Sequence, residues 1–189
     1  MQRPNTVTFT TLLTMWANSK DPAASSRVVE VFKHMTMMGV RLDTVGYSSL
    51  LSALGRSNDR DAPLRANEVF EQMLASGARP DTQCWTILIS IWSRSSLKGK
   101  ERECQAIFDR MIESKSAVPN AITYTAMLKL WYYAKDTKQA VSRINTIYEN
   151  ILFDHVALDD GAFKWLLTGL GKACTSAEAF SKVELLLRQ

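Results

Sequence analysis

Cysteine and histidine are the side chains best suited to nucleophilic, redox or metal chemistry, and this 189-residue chain has three of the first and two of the second. Cys84, Cys104 and Cys174 are far apart and form no Cys-x-x-Cys pair. That spacing excludes a disulfide scaffold and argues against a structural zinc site. His34 and His155 are too few for most metal or acid–base designs. The chain has no phosphate-binding P-loop, no Gly-x-Ser-x-Gly elbow and no His-Glu-x-x-His pair. The acidic pairs Asp59 with Asp61 and Asp159 with Asp160 fall where loops or helix caps are expected. The residues therefore predict a chain without catalytic machinery, cofactor, metal or small-molecule substrate. What remains is a set of polar and basic side chains, Asp43, Asp81, Asn120, Asp159, Arg56, Arg94 and Lys172, that return at a regular interval.

The elements that position them repeat too. Val7-Thr8-Phe9-Thr10-Thr11-Leu12-Leu13 returns as 45–51, 83–89, 122–128 and 161–167. Its aromatics, Phe9, Tyr47, Trp85, Tyr124 and Phe163, are 38, 38, 39 and 39 residues apart. A second block follows each first. Glu30-Val31-Phe32-Lys33-His34-Met35 matches 68–73, 106–111 and, more loosely, 146–151. Phe9, Leu12, Leu13 and Trp16 fall at i, i+3, i+4 and i+7, as do Ala66, Val69, Phe70 and Met73. One apolar stripe per helix is the reading. Each unit is thus helix A, a loop, helix B and a short turn. Asp43, Asp81, Asn120 and Asp159 precede successive A helices, where a side-chain oxygen caps free N–H groups. Gly39 and Gly77 end the first two B helices, and Pro80 and Pro119 prevent continuation. Pro22 and Pro63 punctuate the A–B loops. Four complete units are expected, at 6–43, 44–81, 82–120 and 121–159, with a partial fifth at 160–189. Arg3-Pro4-Asn5 reads as the close of a preceding unit, so a piece of a longer array is expected, or a short array whose ends are covered by something else. A lone helical hairpin cannot bury its stripe, whereas stacked copies can.

The pattern Val-Thr-Phe/Tyr-Thr-x-Leu-Leu, then Phe-x-x-Met-x-x-x-Gly, then Pro-Asp, resembles the pentatricopeptide repeat (PPR), with 66–81 the best match. These units are longer than the family's commonest one, and the surplus lies in the A–B loops. The resemblance implies an all-α fold, a right-handed α-solenoid of antiparallel helix-turn-helix repeats. It also implies sequence-selective binding of single-stranded RNA at about one base per repeat. The implied base readers are the residue after each helix-A aromatic and the residue closing the unit. Here these are Thr10 with Asp43, Ser48 with Asp81, Thr86 with Asn120, and Thr125 with Asp159. Family preferences then suggest 5′-GGAG-3′. Lys164 stands at the reader place of unit five, which is assigned no base. Val7, Val45 and Ile122 occupy the place that flanks each base in the family, or else pack against neighbouring hairpins.

The net charge is +4, which permits an anionic partner without demanding one. In the five A-helix stretches the basic residues Arg56, Arg94, Lys129, Lys164 and Lys172 face one acid, Asp160. Arg56, Arg94 and Lys172 share one place at the end of helix A, where the resemblance puts the RNA phosphates and where a helix dipole also favours cations. The five tryptophans are expected in the core, and the cysteines as small buried residues. Apolar runs fall well short of the ~18 residues a membrane helix needs, so no membrane partner is expected. Family habit suggests a mitochondrion or plastid, although no targeting segment is read within the chain. Two other readings stay open: a helical scaffold for protein partners, and an RNA-binding arm of a longer enzyme.

Overall fold

The structure, a computed structural model, describes residues 4–187 other than 20, 22, 58 and 175. Arg3 and Pro22 therefore lie outside the described residues. Ten helices and no strand occur among them. The A helices are α1 (Thr6–Asn18), α3 (Thr44–Arg56), α5 (Thr82–Arg94), α7 (Ala121–Tyr132) and α9 (Asp160–Ala173). The B helices are α2 (Ala24–Met37), α4 (Ala62–Ala75), α6 (Lys100–Ser114), α8 (Thr137–Phe153) and α10 (Ser176–Leu187). Each A helix packs on the next A helix, and α2, α4, α6 and α8 each pack between the two A helices that flank them in sequence. The result is an α-solenoid with two layers, held by neighbour-to-neighbour contacts.

Two consecutive apolar positions on helix A make the stack. Leu50, Leu88, Met127 and Leu166 face the preceding hairpin, and Leu13, Leu51, Ile89 and Leu128 face the following one; all are buried. The terminal copies have no neighbour on one side. Leu12, the backward-facing residue of α1, is consequently 37% exposed, and Leu167, the forward-facing residue of α9, is 42% exposed. Leu12 thus departs from the continuous buried stripe that the spacing predicts.

Aromatic rings join the first three B helices to the next A helix. Phe32 meets Tyr47, Phe70 meets Trp85 and Phe108 meets Tyr124 edge to face, with centroids 6.1, 4.5 and 5.9 Å apart. Such pairs add to their area burial. Trp92 and Trp131 are buried in the same seams. Their indole N–H groups donate to Asn67 Oδ1 (2.9 Å) and Gln105 Oε1 (3.2 Å) of the preceding B helix.

A threonine clasp closes three of the units. Thr6 Oγ1 donates to Arg41 O at 3.1 Å, Thr44 Oγ1 to Arg79 O at 3.2 Å, and Thr82 Oγ1 to Val118 O at 3.1 Å. Each bond ties the first residue of an A helix to the turn that closes its own hairpin. Ala121 and Asp160 stand at this place in the last two A helices.

The B helices end in left-handed turns. Gly39 (φ 69°) and Gly77 (φ 82°) adopt this conformation, as the sequence predicts. So do Lys115 (φ 51°) and His155 (φ 48°), at the same place in the next two units. In the first and fourth units Val40 N donates to Met35 O and Val156 N to Ile151 O, and in the second and third Ala78 N and Ser116 N donate to the hydroxyls of Ser76 and Ser114. The conformation persists where glycine is absent.

Candidate nucleic-acid interface

The residues closing the units all begin helices. Asp43, Asp81, Asn120 and Asp159 have extended backbone, and each Oδ1 accepts from the N–H three residues on. The acceptor distances are 2.8 Å from Gly46, 2.8 Å from Cys84, 3.0 Å from Thr123 and 2.7 Å from Ala162. The cap engages Oδ1, and the three aspartates stay exposed. Asn5 performs the same task for α1, with Thr8 N donating at 3.1 Å. Asp136 does so for α8, a cap the repeat pattern does not reveal.

The small hydroxyl residues sit at the seam between successive A helices. Ser48 and Thr86 are each 7% exposed, and Thr10 and Thr125 are half-buried. Each of the first three meets the residue that its partner cap binds. Thr10 Oγ1 is buried, has no hydrogen-bond partner among the described residues and would lie 3.2 Å from a Cβ at Gly46. A methyl there would also come within 2.3 Å of Leu42 Cδ2, which explains the glycine. Ser48 neighbours the Cys84 side chain, and Asp81 Oδ1 accepts from Cys84 N. Thr86 Oγ1 lies 2.6 Å from Thr123 Oγ1, which in turn donates to Asn120 Oδ1 at 3.0 Å. The proton of Thr123 is thus committed to Asn120, so Thr86 donates to Thr123 and keeps its lone pairs. Asn120 Oδ1 receives two donors, Thr123 N and Thr123 Oγ1, so its free capacity is the NH₂ group. This third residue, Gly46, Cys84, Thr123 or Ala162, is a component that the helix stripes do not reveal.

Val7, Val45 and Ile122 are 71%, 60% and 60% exposed. They do not pack into the hairpin seams. They form a row of apolar side chains at the starts of the A helices.

The three end-of-helix cations differ. Arg94 Nε donates to Ser90 O, and its Nη2 donates to Gly55 O at 3.0 Å, joining the end of α5 to the end of α3. Lys172 Nζ donates to Tyr132 O, joining α9 to α7 in the same way. Arg56 is exposed and makes no hydrogen bond or ion pair among the described residues. Arg56, Arg60 and Arg94 border an open cleft of about 550 Å³. The acid lining that cleft, Asp59, pairs with Arg65 at 2.8 Å.

Burial pushes the thiols of Cys84 and Cys104 up to about 12, and the charge of Asp81 adds to the effect at Cys84. Both stay neutral thiols at physiological pH. Burial, and then the bond that Tyr124 Oη donates to Asp154 Oδ2 (2.9 Å), push the Tyr124 phenol up. Trp85, Trp92 and Trp131 are core residues, as expected. Trp165 departs from that expectation: it is half-buried and faces an aromatic group. No described helix is long and apolar enough to cross a membrane.

The protein family described as the pentacotripeptide-repeat region of PRORP matches residues 2–167. No curated protein matches the chain. Among solved structures, the PPR domain of Arabidopsis thaliana protein-only RNase P 1 (PRORP1), in complex with tRNA, superposes with a TM-score of 0.72 at 19% identity. That match covers 88% of this chain and 81% of the other. Nuclear proteinaceous RNase P 2 (PRORP2) from A. thaliana gives 0.75 at 18% identity, over 97% of this chain and 38% of that one. The pentatricopeptide repeat protein PPR10, in complex with an 18-nt psaJ RNA element, gives 0.70 at 23% identity over 97% of this chain. The present chain spans about a quarter of PPR10. At these identities the likeness is one of fold.

Proposed function

The chain belongs to the pentatricopeptide-repeat family, and from that premise we propose that it binds single-stranded RNA along its A helices, reading up to four bases. The observation that carries this is the convergence, in the first three units, of a hydroxyl and its cap residue on one position of the next A helix. That convergence gives each site a defined set of free donors and acceptors. At Thr86 and Asn120 the hydroxyl offers a lone pair and the amide offers an N–H. Those complement the N6 amino group and N1 of adenine. At Thr10 and Asp43 the hydroxyl keeps its proton and the carboxylate accepts. Those complement O6 of guanine and its N1–H and amino donors. Ser48 with Asp81 and Thr125 with Asp159 have the same acceptor type, so the reading is 5′-GGAG-3′. The exposed Val7, Val45 and Ile122 flank the bases, and Arg56 is the cation free for phosphate. Arg94 and Lys172 contribute positive charge while holding backbone carbonyls.

The binding test is fluorescence anisotropy of a labelled RNA containing 5′-GGAG-3′, with a pyrimidine-only control and a salt series. Asp81→Asn separates cap from reader, because Asn and Asp cap equally well. The expected result is an unchanged fold with second-base preference moved from guanine to adenine. Equal affinity of both proteins for both bases refutes base reading. Loss of all RNA binding at low salt refutes the function, and favours a scaffold for protein partners. One observation favours a further reading: the matching family is the repeat region of PRORP. The chain would then be the RNA-binding arm of a longer RNA-processing enzyme, with chemistry on another segment. An open reading frame without a nuclease domain removes that reading. Action in an organelle is proposed on family grounds, to be checked by fractionation.

A further inference from the structure

We propose that the face between α7 and α9 carries an aromatic platform that stacks one additional nucleobase, 3′ of the four read by the caps. The inference rests on the RNA-binding reading above. Tyr132 and Tyr133 end α7, and Trp165 comes from the first half of α9. Their centroids are 5.0 Å (Tyr132–Tyr133), 5.7 Å (Tyr132–Trp165) and 5.8 Å (Tyr133–Trp165) apart, all edge to face. Two ammonium groups cover two of these rings. Lys129 Nζ lies 5.2 Å over Trp165, and Lys172 Nζ lies 5.3 Å over Tyr132. The third ring, Tyr133, is 70% exposed. It packs against the other two and is the most exposed ring of the three.

Three features make a nucleotide the occupant. α7 contains no acid, and the one acid of α9 is Asp160 at its first residue, so the cluster is cationic. Tyr133 occupies the place held by Arg56, Arg94 and Lys172 in other units, which lies on the proposed path of the strand. Unit five has Lys164 where the other units have a hydroxyl, so it lacks the means to read a base edge. A rigid aromatic face beside ammonium groups holds any base by stacking, with phosphate attraction added, and does not discriminate among bases.

The test uses 5′-GGAGX-3′, where X is adenosine, cytidine or an abasic nucleotide. Adenosine and cytidine should each bind about fivefold or more tightly than the abasic strand. Tyr133→Ala should abolish that gain, and Tyr133→Phe should retain it. A 2-aminopurine at X should be quenched on binding by the native protein and by Tyr133→Phe, and not by Tyr133→Ala. A base added at the 5′ end should be indifferent to Tyr133. Circular dichroism checks that the exposed substitution leaves the fold intact. If 5′-GGAG-3′ binds but X and Tyr133→Ala have no effect, the platform is refuted and the RNA-binding reading survives. If no RNA binds at low salt, both fall.

Discussion

Substituting Thr123 by valine should destabilise the fold more than substituting Thr86, although the two share one hydrogen bond. Thr123 is fully buried, and its hydroxyl serves three partners: it receives Thr86 Oγ1 (2.6 Å), donates to Asn120 Oδ1 (3.0 Å) and receives Asn120 N (3.3 Å). Valine fills the same volume without the hydroxyl. In Thr123→Val the Thr86 hydroxyl, 7% exposed, loses its acceptor, and the cap loses its reciprocal bond. An orphaned buried hydroxyl costs about 1–3 kcal/mol, and a lost net bond about 0.5–1.5 kcal/mol. The expected loss is about 2 kcal/mol. In Thr86→Val no group is orphaned, because Thr123 keeps both bonds to Asn120, and the expected loss is about 0.5–1 kcal/mol. The double variant removes the orphan and should cost about 1–1.5 kcal/mol, well below the sum of the singles. Urea unfolding followed by far-ultraviolet circular dichroism measures all three. Slopes must match, since neighbour-only contacts permit partial unfolding. Thr86→Val costing as much as Thr123→Val, or strict additivity, would refute the assigned proton order and with it the adenine assignment.

Five other outcomes are expected. Lys115→Gly and His155→Gly should each raise stability by about 0.5–1 kcal/mol, because glycine removes the left-handed penalty at φ 51° and 48°; a lower melting temperature would contradict this. Native protein treated with a thiol reagent near neutral pH should label Cys174, which is partly exposed, while buried Cys84 and Cys104 react only after unfolding; mass spectrometry of the labelled peptides decides. Those two thiols ionise near 9 when unfolded and near 12 when folded, so the native state holds the extra protons between these values, and stability should fall as pH rises from 9 to 12; a flat profile of urea midpoints across that range would contradict it. Arg56→Ala should reduce the slope of log affinity against log salt by about 0.7 without changing stability. Arg94→Ala should lower both slope and stability, because its guanidinium also holds Gly55 O.

The hairpins and their caps were legible because each signal is local. An aromatic followed by two leucines marks helix A, and an Asp or Asn just before it supplies the cap. The seam chemistry was not legible. Thr86 finds its partner 37 residues away, so nothing within its own helix shows that its hydroxyl is spent. Exposure was equally hidden: Val7, Val45 and Ile122 are as apolar as any core residue, and only the packing of successive A helices leaves them outside. Lys115 and His155 carry no sequence sign of a left-handed turn; the turn at His155 is held by the backbone bond from Val156 N to Ile151 O, and that at Lys115 by Ser116 N donating to Ser114 Oγ. Trp165 misled because tryptophan is usually core, whereas the site between α7 and α9 already holds Tyr132 and leaves the indole half outside.

The threonine clasps make the first three units a ruler. Each fixes the advance from one hairpin to the next with a bond spanning 35 or 36 residues, so the graduations there are equal. On the RNA-binding reading proposed above, a strand laid along equal graduations must adopt the protein's interval, and the loss of freedom falls on the strand. In the fourth unit Ala121 has no hydroxyl to close the clasp, and the tie between its two helices moves to Tyr124 and Asp154. The fourth division is therefore held by a different bond from the first three.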